Sequence, residues 1–216
     1  MRNNKNKNIK TKIILASASE RRRDILGLTG LQFTVEESGV EEVMSECVPP
    51  RRLARLLSRQ KAETVAAREK EKEKEKGKEK EKKKGGNALV IAADTFISIN
   101  GRYLGKAQDQ AEASAMLRAL SGRAHLVVTG YTVIDSSSGK RISGSSETKV
   151  YFRRLHKEEI ESYVKTGEPI GKAGAYAIQG LGAALVRKIE GDFFNVVGLP
   201  LSALIMTLNK FGIRIL

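Results

Sequence analysis

The sequence has few of the residues on which several classes of protein depend. It contains one cysteine, Cys47, which excludes an intrachain disulfide and any metal cluster built on cysteine. Its two histidines are expected to be structural, because His125 lies in a strand-like run and His156 just before a helix. Tryptophan is absent and aromatic residues make up 5% of the chain, so stacking on nucleic-acid bases has little support.

The chain also lacks long apolar segments. No apolar run approaches the ~18 residues that a membrane-spanning helix needs. Residues 1–12 are rich in Asn and Lys and lack the apolar core and cleavage site of a secretory signal. They are poor in the arginine and serine of a transit peptide, although that alternative stays open. The simplest expectation is a cytoplasmic protein that does not bind a membrane.

The net charge of +14 invites a nucleic-acid hypothesis, so the position of the charge matters. Residues 1–12 carry five positive charges and no negative ones, and residues 68–84 carry ten positive and six negative ones. We expect a disordered basic tail at 1–11, a low-complexity Glu/Lys insertion at 69–86, and one folded domain over 12–216. The insertion could extend the preceding helix in part. A nucleic-acid or polyanion-binding protein is the alternative interpretation.

The stretch from Ile13 to Leu26 predicts a buried strand, a hydroxyl-rich turn and a helix. Ser19 is a good N-cap, and the first amides of a helix lack intrahelical acceptors and carry partial positive charge, so an anion could be held there. Arg21 and Arg22 would add guanidinium groups that match phosphate oxygens. The pattern suggests a polyphosphate site, and a capped surface helix with solvated arginines explains it equally well.

A second informative stretch, residues 88–95, is an apolar run that leads into a carboxylate, Asp94. Such a run is typical of a strand buried on both faces, and active sites of open α/β sheets gather at the carboxyl ends of strands. Asp94 is therefore a candidate catalytic residue; the alternative is a structural aspartate that caps a turn. A hairpin turn at residues 100–101 follows, and Lys106 comes just after it.

The loops and helices between these stretches complete an α/β pattern. An acidic loop at residues 38–42 offers oxygen ligands to a cation such as magnesium, although adjacent glutamates are usually just solvated. Residues 167–180 form a glycine-rich loop that is too long for a simple connector. After Pro49-Pro50 a helix carries Lys61 and an apolar face of Leu53, Leu56, Leu57 and Val65; further strands are predicted at 31–35, 124–135, 141–152 and 185–189, and helices at 108–120, 157–166 and 199–211.

Several blocks along the chain carry a combined signature: Leu15-Ala-Ser17-Ala-Ser19-Glu-Arg21-Arg22, Gln60-Lys61-Ala62, Ala93-Asp94-Thr95, Leu104-Gly105-Lys106, Leu120-Ser-Gly122, residues 172–180 and residues 195–200. Together these blocks resemble the Maf family of nucleoside triphosphate pyrophosphatases, which is related in fold to inosine triphosphate pyrophosphatase. The blocks occur in the family's order over nearly the whole chain, which is far more specific than any single motif. The resemblance implies a mixed, twisted central sheet flanked by helices in two lobes with a cleft between them.

The resemblance also implies an activity. Family members hydrolyse a nucleoside triphosphate to the monophosphate and pyrophosphate with Mg²⁺ or Mn²⁺, and relatives are often homodimers. Asp94 looks like the proton acceptor, and an Asp-Thr pair is similar to the members that act on dTTP and UTP. The other implied roles are phosphate binding by Ser17, Arg21, Lys61 and Lys106, base selection by Arg21, Thr95 and Gln179, and metal binding by Glu41 and Asp94.

Three residues depart from the family's pattern. Glu20 replaces a proline before the arginine pair and puts a negative charge beside the proposed phosphate site. Ala107 and Gly171 replace a proline and an aspartate that are usual at those positions. A catalytically weakened relative with a regulatory role in division is a further alternative, which the intact Asp94 disfavours.

Overall fold

The computed structural model describes residues 11–79 and 88–215. Residues 1–10 of the predicted tail and 80–86 of the predicted insertion lie outside the described residues. The strands are β1 (Lys12–Leu15), β2 (Thr34–Val35), β3 (Ala88–Ile99), β4 (Arg102–Leu104), β5 (Ala124–Asp135), β6 (Arg141–Phe152) and β7 (Val186–Glu190). The helices are α1 (Glu20–Gly27), α2 (Pro50–Glu79), α3 (Gln110–Leu120), α4 (Lys157–Lys165), α5 (Phe193–Val197) and α6 (Leu201–Asn209), with a 3₁₀ turn at Leu181–Leu185.

The centre of the fold is a mixed sheet of seven strands. Its order is β2-β1-β3-β5-β6-β7, and β4 pairs with β3. β1 pairs in parallel with β2 and β3, whereas the other pairs are antiparallel. β5 and β6 form a long hairpin that occupies the two ranges predicted from the sequence. The prediction of an α/β fold with a mixed central sheet flanked by helices is confirmed.

Helix α2 covers one face of this sheet. Ala62 and Val65 of α2 are fully buried in a cluster with residues of β1 and β3. At β5 the helix backbone passes so close that a Cβ added to Gly130 would lie 2.0 Å from the carbonyl oxygen of Ala54. Only glycine permits this approach. The close packing brings Lys61, the neighbour of Ala62, directly against β3.

The opposite face carries two apolar clusters. Leu15 of β1 and Ile91 of β3 pack with α1 and α6 in one cluster. Ile97, farther along β3, packs with α3 and α4 in the other cluster. β3 runs through both clusters and is covered by α2 on its other face, so ten of its twelve residues are buried. The two clusters are the cores of two lobes, and the sheet edge between them is the natural place for a cleft.

The structure extends α2 well into the low-complexity segment, through residues 69–79. Glu and Lys are good helix formers, and their i,i+4 pairs stabilise a helix that packing has already nucleated. Glu69 is buried, and its Oε1 accepts a hydrogen bond from Lys12 Nζ at 2.8 Å. Earlier on the same helix, Leu56 is 38% exposed, so its assignment to the apolar face is wrong; Ala54 is buried instead.

Two other elements differ in extent from the sequence prediction. The strand predicted at residues 31–35 is only Thr34–Val35. The apolar run at residue 88 and the first arm of the hairpin form one continuous strand, β3, so Asp94 lies within a strand. Among the described helices, none is long and apolar enough to cross a bilayer.

Candidate active site

A gap in the edge of the sheet creates the cleft. β1 pairs with β3 only as far as Ile91, and β4 pairs with β3 only from Ile97 onward. Residues 92–96 of β3 therefore have no strand beside them on that edge. The chain leaves the end of β1 at Ser17 and leaves β4 toward Lys106, so both segments border the gap. The resulting cleft has a volume of about 620 Å³.

The turn after β1 begins helix α1 at the cleft. Ser19 is its N-cap, with Oγ accepting from the backbone N–H of Arg22 at 3.4 Å. Ser17 is 7% exposed, and its Oγ accepts from the backbone N–H of Ser19 at 3.2 Å. Both serines and Arg21 line the cleft, so the free amides of α1 and a guanidinium group face the same space. Burial lowers the pKa of Arg21, as does the neighbouring Arg22.

Arg22 occupies a more central position than the sequence indicated. Its side chain is buried and lines the cleft, with Nε donating to the carbonyl oxygen of Gly198 at 2.9 Å. Its Nη1 donates to Ser17 Oγ at 3.3 Å and its Nη2 to Thr95 Oγ1 at 3.0 Å. Within the described residues, Arg22 forms no ion pair with a carboxylate. Its positive charge is therefore available to an anion in the cleft.

Lys61 joins two carboxylates. It is 7% exposed, and its Nζ donates to Glu42 Oε1 at 2.6 Å and to Asp94 Oδ1. Asp94 alternates with Thr95 along β3, so its side chain points toward the face covered by α2, where Lys61 lies. Lys106 Nζ donates to the same Glu42 oxygen at 2.7 Å. Two ammonium groups and two carboxylates thus form one connected network at the cleft.

The electrostatics of this network favour the ionised form of Glu42. Burial acts to raise the pKa of Glu42, but the charges and hydrogen bonds of Lys61 and Lys106 outweigh it and lower the pKa to about 2. The carboxylate is therefore charged at any physiological pH. Its charged oxygen atoms can bind a cation or orient the two lysines.

A glycine-rich loop brings Lys106 into place. Lys106 forms an isolated β-bridge with Ala173, and the N–H of Ala107 donates to the carbonyl oxygen of Lys172 at 3.2 Å. A proline at position 107 could not donate this hydrogen bond, so the departure at Ala107 adds a tie between the two segments. Gly171 has φ +70°, and its N–H donates to the carbonyl oxygen of Ala107 at 2.8 Å.

The cleft has a second, apolar part. Tyr176 lines it and is 5% exposed, and its Oη lies 2.9 Å from Nε2 of His125. Burial lowers the pKa of His125 to about 4, which keeps the ring neutral and is consistent with a structural role. Further apolar side chains of the lining include Ile97, Val127, Ile178, Val196 and Val197.

The structure brings together most of the residues singled out from the sequence. Ser17, Arg21, Lys61, Lys106 and Thr95 all line the cleft. Asp94 lies just beneath it, 2% exposed and bonded to Lys61.

Two residues are not brought to the cleft. Glu41 is exposed and lies outside the lining, whereas the adjacent Glu42 lines the cleft, so the structure favours Glu42 as the acidic residue of the site. Gln179 is also exposed and outside the lining. Glu20 is exposed but lines the cleft, which places its negative charge beside the amides of α1.

The family model described as Maf-like protein matches residues 12–211. The chain belongs to the Maf family.

Individual Maf relatives match this chain in sequence along almost their whole length. A protein of Thermoanaerobacter sp. (strain X514) named dTTP/UTP pyrophosphatase is 48% identical over 206 residues, covering 95% of this chain and 100% of the relative. A protein of Methanosarcina barkeri with the same name is 46% identical over 204 residues, covering 94% and 95%. One of Pelotomaculum thermopropionicum, also so named, is 44% identical over 204 residues, covering 94% and 98%. The family match at residues 12–211 spans every segment that borders the cleft.

Proposed function

We propose that this Maf protein hydrolyses nucleoside triphosphates to the monophosphate and pyrophosphate, with dTTP and UTP as its preferred substrates. One observation carries the proposal: the amides of α1, Arg21, Arg22, Lys61 and Lys106 converge on one cleft together with the carboxylates of Glu42 and Asp94. Phosphoryl chemistry requires positioning and charge neutralisation more than covalent catalysis, and cations facing a carboxylate provide both. The names of the relatives point to the same reaction.

The two parts of the cleft match the two parts of a nucleotide. The charged part, around Ser17 and Lys61, suits a triphosphate, and the apolar part, around Tyr176 and Ile178, suits a base. A volume of about 620 Å³ is in the range of small-molecule sites. The nucleotide therefore lies along the gap in the sheet, with its phosphates at the end of β1.

Asp94 accepts the proton of the attacking water. As the water oxygen bonds to the α-phosphorus, the bond from that phosphorus to the bridging oxygen breaks, and pyrophosphate leaves with the bonding electrons. Lys61 holds the Asp94 carboxylate in position through the hydrogen bond between them. Phosphate oxygens compete for the same ammonium group, so substrate binding and the freeing of the carboxylate are linked.

The donor set fits a divalent cation. Within the described residues no group of three or more His, Cys, Asp or Glu is arranged as a metal site. Mg²⁺, however, is usually held by one or two carboxylates and by substrate phosphates, and Glu42 and Asp94 converge on one ammonium group. These two residues would hold Mg²⁺ or Mn²⁺, and the bound ion would neutralise charge on the phosphates.

Base selection is assigned to Arg21, Thr95 and Gln179. Thr95 lines the cleft, and its Oγ1 accepts from Arg22 and lies 3.0 Å from Thr129 Oγ1. A longer side chain at position 95 would displace Arg22 and narrow the space beside the base. Gln179 is exposed and directly follows Ile178 of the lining, so its proposed role is at the edge of the cleft.

The proposal is tested by a screen of canonical and modified nucleoside triphosphates with Mg²⁺ and with Mn²⁺, measuring pyrophosphate and orthophosphate separately. We expect pyrophosphate as the phosphate product and the highest kcat/KM for dTTP and UTP. Release of orthophosphate, or no preference for these two substrates, would contradict the proposal.

We propose that the protein acts on the cytoplasmic nucleotide pool, and that it works as a homodimer.

A further inference from the structure

The apolar part of the cleft is bounded by a loop without regular secondary structure. The loop wall, residues 171–178, contributes Gly171, Lys172, Ala173, Tyr176 and Ile178 to the lining. Its first half is tied to Ala107 by the hydrogen bonds described above. Ala175, in its second half, has φ +61°, a conformation that residues with a Cβ adopt only when their surroundings enforce it. Something must therefore fix that second half.

A chain of hydrogen bonds supplies the restraint. The N–H of Ala177, between the two wall residues Tyr176 and Ile178, donates to Tyr163 Oη at 3.2 Å. Tyr163 Oη donates in turn to Glu168 Oε1 at 2.8 Å. We call these two side chains the Tyr163–Glu168 clamp.

The carboxylate of the clamp also holds the chain beyond the wall. Glu168 Oε1 accepts from the N–H of Gly182 at 2.9 Å, and Oε2 accepts from the N–H of Leu181 at 3.0 Å. The clamp thus binds the backbone at residue 177 and again at residues 181–182. The segment between them includes Ile178 of the lining and the exposed residue Gln179.

Glycines make room for this arrangement. A Cβ added to Gly180, where φ is +135°, would lie 2.6 Å from Glu168 Oε2. A Cβ added to Gly182 would lie 2.5 Å from Tyr163 Oη. Both positions accept the clamp only because they lack a side chain. The two glycines therefore leave the space that the side chains of Tyr163 and Glu168 occupy.

The clamp is electrostatically coupled to the cleft. Burial and Arg22 lower the pKa of Arg21, and Tyr163 and Glu168 act in the opposite direction, so both groups lie within reach of the guanidinium charge. Burial acts to raise the pKa of Glu168, but the N–H groups of Gly182 and Leu181 and the Tyr163 hydroxyl outweigh it and lower the pKa. The carboxylate therefore accepts these hydrogen bonds in its charged form, in which they are strongest.

We propose that Glu168, acting through Tyr163 and the backbone of residues 177–182, is a positioning residue that fixes the wall against which the nucleotide base binds. This inference rests on the proposed function for the identity of the ligand. It assigns to Glu168 no contact with substrate and no part in the chemical step. Its loss should weaken binding of the base and leave binding of the phosphates largely unchanged.

The test compares a ligand with a base and a ligand without one. Dissociation constants for thymidine 5′-monophosphate and for inorganic tripolyphosphate are measured by calorimetry with the wild-type chain, Glu168→Gln and Tyr163→Phe. We expect each variant to weaken thymidine monophosphate about tenfold, because a charge-assisted hydrogen bond is lost, and to change tripolyphosphate less than about twofold. With dTTP as substrate, KM should rise about tenfold at nearly constant kcat.

The chain offers a matched control in a second tyrosine–glutamate pair. Tyr151 Oη donates to Glu190 Oε2 at 2.8 Å, on β6 and β7 and away from the cleft lining. Tyr151→Phe and Glu190→Gln should leave both dissociation constants within about twofold of wild type. Because Tyr163→Phe keeps the buried ring, it decides the test if Glu168→Gln does not fold.

Two results would overturn the inference: unchanged affinity for thymidine monophosphate in the clamp variants, or an equal loss for both ligands. Neither affinity depends on turnover. A wild-type chain that binds thymidine monophosphate but releases no pyrophosphate would therefore contradict the proposed function and still allow the clamp to be tested.

Discussion

The adjacent residues Glu41 and Glu42 lie in one loop but differ in whether their side chains reach the cleft. Both are acidic, adjacent and without secondary structure, yet only Glu42 lines the cleft and meets Lys61 and Lys106. The sequence could locate the acidic loop but not choose between its glutamates, because the choice depends on loop backbone torsions rather than on a helical or strand period. Their different surroundings turn them into a matched experimental pair.

We expect Glu42→Gln to lower kcat/KM for dTTP about a hundredfold, because the amide removes a charge that balances two lysines and can hold the cation. Glu41→Gln should remain within about twofold of wild type, since Glu41 is exposed and outside the cleft. Steady-state kinetics at several Mg²⁺ concentrations measure both. Equal losses in the two variants, or a larger loss for Glu41→Gln, would show that the acidic residue has been assigned incorrectly.

Arg22 shows the same limit of sequence reasoning at another residue. The arginine pair indicated an anion site, but the sequence did not reveal that Arg22 would be buried and bonded to Ser17, Thr95 and Gly198. Gly198 lies 176 positions away in the chain, and such a contact depends on how α5 packs against α1. The alternation of Asp94 and Thr95 along β3, in contrast, follows directly from the period of a strand.

At the scale of elements, regular patterns were predictable and short or packing-dependent elements were not. β5 and β6 have long alternating or apolar runs bounded by a serine-rich turn, and their limits agree with the sequence. α3 buries Ala113, Met116, Leu117 and Leu120, the face that its helical spacing predicts. The five-residue helix α5, at residues 193–197, is too short to show a period and was not predicted.

Helix α2 consists of a half that packs on the sheet and a low-complexity half. Its first half carries Lys61 and packs on the sheet, whereas its Glu/Lys extension includes the ion pairs of Glu69 with Lys12 and of Lys72 with Glu36. The functional half of the helix should therefore be separable from its low-complexity continuation.

Deletion of residues 74–84 tests this separation, because it keeps Glu73 and both ion pairs and leaves residues 85–87 to connect α2 to β3. We expect kcat/KM for dTTP to stay within about twofold of wild type, since surface changes away from a site are usually small. The control is Lys61→Met, which keeps the helix but removes the ammonium group and should abolish turnover. If hydrolysis is lost in the deletion variant while its thermal unfolding stays cooperative, the segment takes part in function.

At the scale of the whole molecule, two apolar clusters on one face of the sheet and α2 on the other form a rigid frame around the gap in β3. The net charge of +14 is concentrated in two low-complexity segments, so it says little about the cleft. In the cleft itself, Lys61 and Lys106 pair with Glu42 and Asp94. The other positive charges of the lining, on Arg21, Arg22 and Lys172, outnumber the negative charges of Glu20 and Glu37 and remain for a polyanion.

We propose above all that Asp94, within this frame, accepts the proton of the water that attacks the α-phosphorus. ³¹P NMR of dTTP with the wild-type chain, Asp94→Asn and the control Asp109→Asn tests it most directly, since asparagine preserves the N-cap that Asp109 provides to α3. We predict equal amounts of thymidine monophosphate and pyrophosphate from the wild type and the control. Asp94→Asn should be folded and about a thousandfold slower. Near-wild-type turnover by folded Asp94→Asn, or orthophosphate as the product, would contradict the account.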